Sequence, residues 1–259
     1  MAHDTPGMAN APLVIGTGPR KVLALHGWFG SATGWGHLPD LVDGDRYSWL
    51  FLDYRGYGAR RGEAGEYSLA EISADALAAV DAQGWSSFAV VGHSMGGSAM
   101  QRVLLDAGGR VDGLLGVSPV PATGVPFDEQ SGPLFRGAAE DRGNRYAILD
   151  LTTGGRLSRT WLERMVQFSL DQSDPAAFRA YLDAWAGTDF SAEVQGHPVP
   201  VRVVVGEHDP ALSAAVMEQT FLQHYPNASL EVLPNAGHYA MYETPVALLS
   251  TVERFLDDL

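Results

Sequence analysis

The sequence contains no cysteine, and Lys21 is its only lysine. Without thiols the chain can form neither disulfides nor thiolate metal sites, and it has no cysteine nucleophile. Acidic residues outnumber basic ones by 31 to 17, which gives a formal net charge of -14. A nucleic-acid binder needs a basic face that displaces counterions from phosphate, and no run rich in lysine or arginine is present. We therefore expect no nucleic-acid partner.

Long apolar runs are also missing. No stretch of about 18 uncharged apolar residues occurs, so the sequence predicts no membrane-spanning helix. The N-terminal residues MAHDTPGMANAPL lack the basic start and apolar run of a secretory signal peptide. These absences predict a cytoplasmic protein. Hydrophobic residues make up 46% of the 259-residue chain, which is enough for the core of one large α/β domain.

Short apolar runs alternate with segments of helical periodicity. This alternation is typical of an α/β fold, in which helices cover both faces of a mostly parallel central sheet. The predicted strands are 22–25, 48–53, 88–92, 113–118, 201–206 and 230–233, with a short leading strand at 13–15. The predicted helices of the core are 69–83, 96–107, 211–224 and 245–256.

The stretch from residue 120 to 197 interrupts this alternation. It has no clear strand, and tryptophan, phenylalanine and leucine recur in it at helical spacing. We predict that residues 120–197 form a helical cap inserted between two strands. The core would then comprise residues 1–119 and 198–259.

The motif Gly92-His93-Ser94-Met95-Gly96 lies between an apolar run and a helical segment. At such a strand-to-helix turn, a G-x-S-x-G motif holds the serine in a strained conformation with its Oγ exposed. Small residues on both sides let neighbouring backbone pass closely. A phosphate-binding loop is the alternative, but the lysine of a P-loop is missing. We predict that Ser94 is a nucleophile and that His93 supports the turn.

A serine hydroxyl needs a base, and His238 is the candidate. It follows the last predicted strand, at the carboxyl end where open α/β sheets place their sites. A carboxylate must orient the base, and Asp209 follows the preceding strand in the same way. Aspartate is also a common helix cap, which is the alternative role for Asp209. Glu207 and Glu243 are weaker alternatives for the orienting carboxylate.

Acyl transfer also requires hydrogen-bond donors for the oxyanion of the tetrahedral intermediate. His26-Gly27-Trp28 follows the first long predicted strand, and its glycine permits a sharp turn that aims an amide inward. We assign the donors as the backbone N–H groups of Trp28 and Met95. His26 is predicted to be a structural hydrogen-bonding residue rather than a catalyst.

Together these motifs resemble those of the α/β-hydrolase superfamily. The resemblance covers most of the chain from residue 22 onward, and it implies an α/β-hydrolase fold in which the insertion is the family's lid or cap. Members that open epoxides or displace halide use an aspartate where this chain has Ser94, so those activities are not expected. The strings that carry the resemblance are His26-Gly27-Trp28, Asp53-Tyr54-Arg55-Gly56-Tyr57-Gly58, Gly92-His93-Ser94-Met95-Gly96-Gly97, Gly206-Glu207-His208-Asp209 and Asn235-Ala236-Gly237-His238.

The combined expectation is a serine hydrolase that cleaves a carboxylic ester or lactone of a small-to-medium hydrophobic substrate through an acyl-enzyme. No cofactor is expected, and no metal site, because the histidines lack ligand spacing. The enzymatic alternatives are a carbon–carbon bond hydrolase of aromatic degradation and a cofactor-free perhydrolase. The superfamily's carbon–carbon hydrolases typically carry Asn and Trp where this chain has His93 and Tyr239. A ligand-binding receptor on the same fold is the non-enzymatic alternative.

Aromatic side chains of the core loops and the cap are expected to line an apolar substrate pocket. Their alternative role is to pack the cap onto the core. Trp28 is the strongest candidate because it adjoins an oxyanion donor. The full set of candidates is Trp28, Phe29, Trp161, Phe168, Tyr181, Trp185 and Tyr239.

Overall fold

The computed structural model describes residues 12–129 and 131–259. The prediction that there is no signal peptide falls on residues 1–11 and so lies outside the described residues. Within them, one sheet has seven strands in the order β1-β3-β2-β4-β5-β6-β7. Strand β1 pairs with β3 in antiparallel fashion, and every other neighbouring pair is parallel. The strands are β1 Leu13–Ile15, β2 Arg20–Leu25, β3 Tyr47–Leu52, β4 Phe88–His93, β5 Val111–Val117, β6 Val201–Gly206 and β7 Ala228–Leu233.

The centre of the sheet explains the near-continuous apolar runs of the sequence. Strand β4 lies in the middle, where Val90 pairs with Leu23 of β2 on one side and with Leu114 of β5 on the other. All six residues of β3 and of β4 are buried. A strand covered on both faces has no solvent side, so the alternation of polar and apolar residues disappears. All seven predicted strands, including the short leading one, are confirmed.

The helices follow the predicted periodicity in most places. Helix α2 begins after Ser68, whose Oγ accepts a hydrogen bond from the Glu71 amide at 3.1 Å, a typical N-terminal cap. Helix α12 packs against α1 and β5. None of the described helices is long and apolar enough to span a bilayer. The helices of the core are α1 Leu38–Leu41, α2 Leu69–Ala82, α3 Met95–Asp106, α9 Ala214–Gln219, α10 Phe221–His224, α11 Ala240–Glu243 and α12 Pro245–Asp257.

The prediction of one helix over residues 211–224 is wrong. Residues 211 and 212 form a turn whose amides bind the Asp209 side chain, so the helix begins only at Ala214. It stops again at Thr220, which has φ -125° and ψ -84°. The Thr220 hydroxyl donates to the Val216 carbonyl at 2.7 Å, and a back-bond of this kind disturbs a helix.

Among the residues that the structure describes, 120–197 contain helices and no β-strand, apart from an isolated β-bridge between Ser173 and Tyr57. The helices are α4 Ser131–Arg136, α5 Arg142–Thr152, α6 Arg159–Gln172, α7 Pro175–Gly187 and α8 Ser191–Val194, with a 3-10 turn at Gly137–Ala139. The guanidinium of Arg145 is fully buried among them, where it donates to Ala138 O and Ser169 Oγ and stacks on the Phe178 ring at 3.7 Å. The division of the chain into a cap and a core at residues 120 and 197 stays a prediction.

Candidate active site

Ser94 lies in the turn between the end of β4 and the start of α3. Its backbone has φ +53° and ψ -118°, a strained conformation for a residue with a Cβ. The turn can be this tight because glycines flank it. A Cβ on Gly92 would overlap the Gly96 carbonyl oxygen, and a Cβ on Gly96 would overlap the Leu25 carbonyl oxygen. The motif therefore folds into the strand-to-helix turn that its spacing predicts.

The His238 ring and the Asp209 carboxylate meet at the carboxyl edge of the sheet, after β7 and β6. His238 Nδ1 lies 2.7 Å from Asp209 Oδ2. The two side chains are 7% and 0% exposed, so water does not compete for this contact. Because an ionised carboxylate only accepts hydrogen bonds, Nδ1 carries the ring proton and Nε2 is left as a proton acceptor. This is the geometry of an oriented base.

The other carboxylate oxygen of Asp209 binds the turn that follows it in the chain. Oδ1 accepts hydrogen bonds from the amides of Ala211, at 3.0 Å, and Leu212, at 3.1 Å. The capping role and the contact with His238 therefore coexist in one side chain. Burial by itself would raise the pKa of Asp209, but the interaction with His238 and the hydrogen bond from the Leu212 amide outweigh it and lower the pKa. The carboxylate is thus ionised at neutral pH.

The two alternative carboxylates are bound elsewhere. Glu207 accepts a hydrogen bond from the Asn235 amide at 3.1 Å and is 52% exposed. Glu243 accepts hydrogen bonds from the amides of Gly237 and Tyr239, which flank His238 in the chain. Neither is hydrogen-bonded to the His238 ring, whose Nδ1 is taken by Asp209.

Ser94 and His238 line the same cavity. Among the described residues no hydrogen bond joins Ser94 Oγ to the His238 ring, and such bonds commonly tighten only in the substrate complex. The backbone of His238 is held by His93, whose Nε2 donates to the His238 carbonyl at 2.9 Å. Burial and the neighbouring His238 lower the pKa of His93 to about 3, so His93 is neutral at working pH. It supports the loop of the candidate base.

Two backbone amides next to Ser94 are free to bind an oxyanion. In the described part of the chain, the N–H groups of Trp28 and Met95 donate to no other protein group. The loop that carries Trp28 passes beside the serine, since a Cβ on Gly27 would lie 3.0 Å from Ser94 Cβ. Unpaired donors held in a buried turn are the arrangement that stabilises charge developing on an oxygen.

Three side chains hold the loop that carries Trp28. His26 Nδ1 donates to the Gly27 carbonyl at 2.8 Å, and burial lowers the pKa of His26 to about 4. The hydroxyls of Tyr54 and Tyr57 donate to the carbonyls of His26, at 2.9 Å, and Trp28, at 2.8 Å. His26 is therefore a structural hydrogen-bonding residue. No role was predicted for the two tyrosines, although both lie in the DYRGYG string that carries part of the family resemblance.

The cavity in front of Ser94 is apolar. Among the described residues no Asp, Glu, Lys or Arg side chain lines it. Four of the predicted pocket residues, Trp28, Phe29, Trp185 and Tyr239, form part of its wall. The space that the centre of a water molecule can occupy is about 70 Å³. Further lining residues were not predicted from the sequence, chiefly Val125, Phe127, Phe135, Ile148 and Thr152.

Three predicted pocket residues, Tyr181, Trp161 and Phe168, do not line this cavity. Tyr181 is fully buried against Tyr57, with ring centroids 5.6 Å apart, and so packs α7 against the loop after β3. The Trp161 ring packs edge-on against Tyr239 at 5.7 Å, behind the wall. Phe168 lies beside Gly34. Helical spacing identifies an apolar face, but it cannot tell which part of that face meets the cavity and which meets the core.

No group of three or more histidine, aspartate and glutamate side chains is placed to hold a metal ion among the described residues.

Comparison with known proteins identifies the family of the chain. Residues 22–251 match the Alpha/beta hydrolase family. A dihydrolipoyllysine-residue acetyltransferase component of the acetoin cleaving system from Cupriavidus necator is 27% identical over 88% of the chain, which spans only 61% of that protein. A pimeloyl-[acyl-carrier protein] methyl ester esterase from Serratia marcescens is 25% identical, with 93% of this chain and 96% of the esterase covered.

Among solved structures, a hydrolase from Oleispira antarctica has the same fold. It superposes with a TM-score of 0.85 at 18% sequence identity, and the superposition covers 97% of this chain and 96% of the other. Because the family match extends over most of the sequence, the chain belongs to the alpha/beta hydrolase family.

Proposed function

We propose that this α/β hydrolase is a serine hydrolase that cleaves a carboxylic ester or lactone of a small-to-medium hydrophobic substrate. The observation that carries the proposal is the 2.7 Å contact between His238 Nδ1 and Asp209 Oδ2, placed at the cavity that Ser94 also lines. The methyl ester esterase of Serratia marcescens, which has nearly the same length, supports a reaction on esters.

In the proposed mechanism Ser94 Oγ attacks the carbonyl carbon while His238 Nε2 takes the hydroxyl proton. The carbonyl oxygen becomes an oxyanion, which the Trp28 and Met95 amides bind. His238 then gives its proton to the leaving alkoxide, and an acyl-Ser94 ester remains. Water resolves this ester in a second round, with His238 again as the base and Asp209 stabilising the imidazolium.

The cavity wall supports the substrate class. A wall without carboxylate, lysine or arginine side chains offers no partner for a charged acyl group, so burying one there would be costly. The cavity is also small, with about 70 Å³ of space open to the centre of a water molecule. We therefore expect acyl groups of two to six carbons to react faster than long ones.

The test is hydrolysis of p-nitrophenyl acetate, butyrate, hexanoate and dodecanoate and of simple lactones by the parent and by Ser94→Ala. We expect turnover that favours the short esters and a fall in kcat of roughly 10⁴-fold or more in the variant. Ser250→Ala is the matched control, because the Ser250 Oγ donates within α12 to the Val246 carbonyl at 2.9 Å and neither residue lines the cavity. Retention of activity within tenfold in Ser94→Ala would refute the assignment.

The alternative functions give different outcomes in the same experiment. A serine-directed fluorophosphonate should label the parent within minutes and leave Ser94→Ala unlabelled. A ligand-binding receptor would label slowly and release little product from any ester. Fast labelling without ester or lactone turnover would instead favour carbon–carbon bond cleavage.

A further inference from the structure

The last turn of α5, in the predicted cap segment of residues 120–197, lies directly on the loop that carries His238. The Thr152 carbonyl accepts a hydrogen bond from the His238 amide at 3.1 Å. The two backbones are so close at the next residue that a Cβ on Gly237 would lie 2.8 Å from Thr153 Cα. The candidate base is thus in backbone contact with the cap segment.

The side chain of Glu243 binds the His238 loop next to this contact. Its side chain is only 3% exposed. Oε2 accepts a hydrogen bond from the Gly237 amide at 2.8 Å, and Oε1 accepts one from the Tyr239 amide at 3.1 Å. These two amides bracket His238, so one carboxylate fixes the peptide on each side of it.

Arg156 joins Glu243 to the cap segment. Its Nη1 lies 2.8 Å from Glu243 Oε2 and 3.1 Å from the Thr153 carbonyl, and its Nη2 donates to the Asn235 carbonyl at 2.9 Å. A buried carboxylate without a cation would be strongly destabilising, and Arg156 supplies that cation. The guanidinium therefore binds the Glu243 side chain, the backbone of the cap segment at Thr153 and the backbone of the His238 loop at Asn235.

We propose that Arg156 and Glu243 are positioning residues, which set the direction of the His238 ring through the backbone of residues 237–239. The proposal rests on the proposed function, in which His238 is the base. Neither side chain touches the ring, and both act on the peptides that carry it. Without Arg156 or Glu243, the His238 ring would still have Asp209 as a partner, but the backbone that carries the ring would no longer be fixed.

A role in attaching the cap alone makes different predictions. Attachment would affect the melting temperature and substrate binding, whereas positioning affects the proton transfer and hence kcat. Misplacement of a reacting group by about 1 Å can cost roughly 100-fold in rate. We therefore expect Arg156→Gln and Glu243→Gln to lower kcat by about 10- to 100-fold, with KM changed by less than about threefold.

The matched control is Arg142→Gln. Arg142 forms an ion pair of 2.8 Å with Glu163 between α5 and α6, and both side chains are more than one-third exposed. This pair resembles Arg156–Glu243 in length but does not touch the His238 loop. We expect Arg142→Gln to keep the kcat of the parent.

A spectroscopic readout makes the test independent of turnover. The proton on His238 Nδ1 should give a low-field resonance in the ¹H NMR spectrum, assigned by its disappearance in Asp209→Asn. We expect this resonance to shift or broaden in Arg156→Gln and to stay in place in Arg142→Gln. If the parent hydrolyses no ester, the proposed function fails, but the resonance still decides whether Arg156 positions the ring.

Two outcomes would overturn the proposal. One is a folded Arg156→Gln or Glu243→Gln protein with the kcat of the parent per active site. The other is an unchanged Nδ1 resonance in Arg156→Gln. Should either single variant fail to fold, the double variant Arg156→Gln/Glu243→Gln decides by the same two readouts, because it leaves no buried carboxylate without a cation.

Discussion

Two buried histidines predict how the stability of the protein depends on pH. His26 and His93 are 2% and 6% exposed, and burial lowers their pKa values to about 4 and about 3. In the unfolded chain both would titrate at the ordinary value of about 6.5. Between about pH 4 and about pH 6.5 the two histidines of the unfolded chain bind protons that the folded protein excludes. The free energy of unfolding must therefore fall as the pH falls below about 6.5.

The size of the effect follows from the same values. At pH 5, about 1.5 pH units below the ordinary pKa, each of these histidines is protonated in the unfolded chain. In the folded protein its ring stays neutral. Each site then lowers the free energy of unfolding by about 2 kcal/mol, and the two together by about 4 kcal/mol. The slope near pH 5 is about 3 kcal/mol per pH unit. Since a domain has roughly 5–15 kcal/mol of stability in total, a decrease of this size is easily measured.

The assay is guanidinium unfolding at pH 8, 7, 6 and 5, with the free energy extrapolated to water. His93→Gln keeps an N–H donor for the His238 carbonyl and should remove about half of the pH dependence. His37→Gln removes an exposed imidazole and is the matched control, expected to keep the full dependence. If the free energy of unfolding of the parent falls by less than about 1 kcal/mol between pH 8 and pH 5, the two buried histidines do not control it.

Two further substitutions test the geometry of the site. Gly96→Ala places a Cβ against the Leu25 carbonyl oxygen, so we expect it to abolish activity and to lower the free energy of unfolding by at least about 2 kcal/mol. Parent-like activity and denaturation midpoint in Gly96→Ala would contradict the tight turn. Phe135→Ala removes a ring from the cavity wall, so the ratio of kcat/KM for hexanoate to that for acetate should rise about tenfold or more. A ratio unchanged within twofold would show that acyl groups bind elsewhere.

The strands and the turn at Ser94 could be predicted because their causes are local. Strands covered on both faces appear as continuous apolar runs, and a serine between two small residues at a strand end has few alternative conformations. The residues at which helices begin and end were harder to predict. The break at Thr220 and the late start at Ala214 depend on side-chain contacts, including one with Asp209, that compete with helical hydrogen bonds.

The supports of the site could not be predicted because they join distant parts of the chain. Arg156 and Glu243 are 87 residues apart, and Tyr57 reaches a carbonyl 29 residues earlier. Neither pairing has a periodicity or a spacing that could show it. In the same way, Tyr181 has the aromatic character of a pocket residue but packs among tyrosines of the core.

The cap segment is hydrogen-bonded to both loops that carry the proposed reacting groups. The Trp28 indole donates to the Phe178 carbonyl of α7 at 2.6 Å, beside the proposed oxyanion donor. On the other side the His238 amide donates to the Thr152 carbonyl of α5 at 3.1 Å. A rigid movement of the whole cap segment would therefore disturb the loop that carries Trp28 and the loop that carries His238 together. For this reason we expect substitutions at these two contacts to change kcat. Substitutions in the cavity wall, such as Phe135→Ala, should instead change KM and acyl preference.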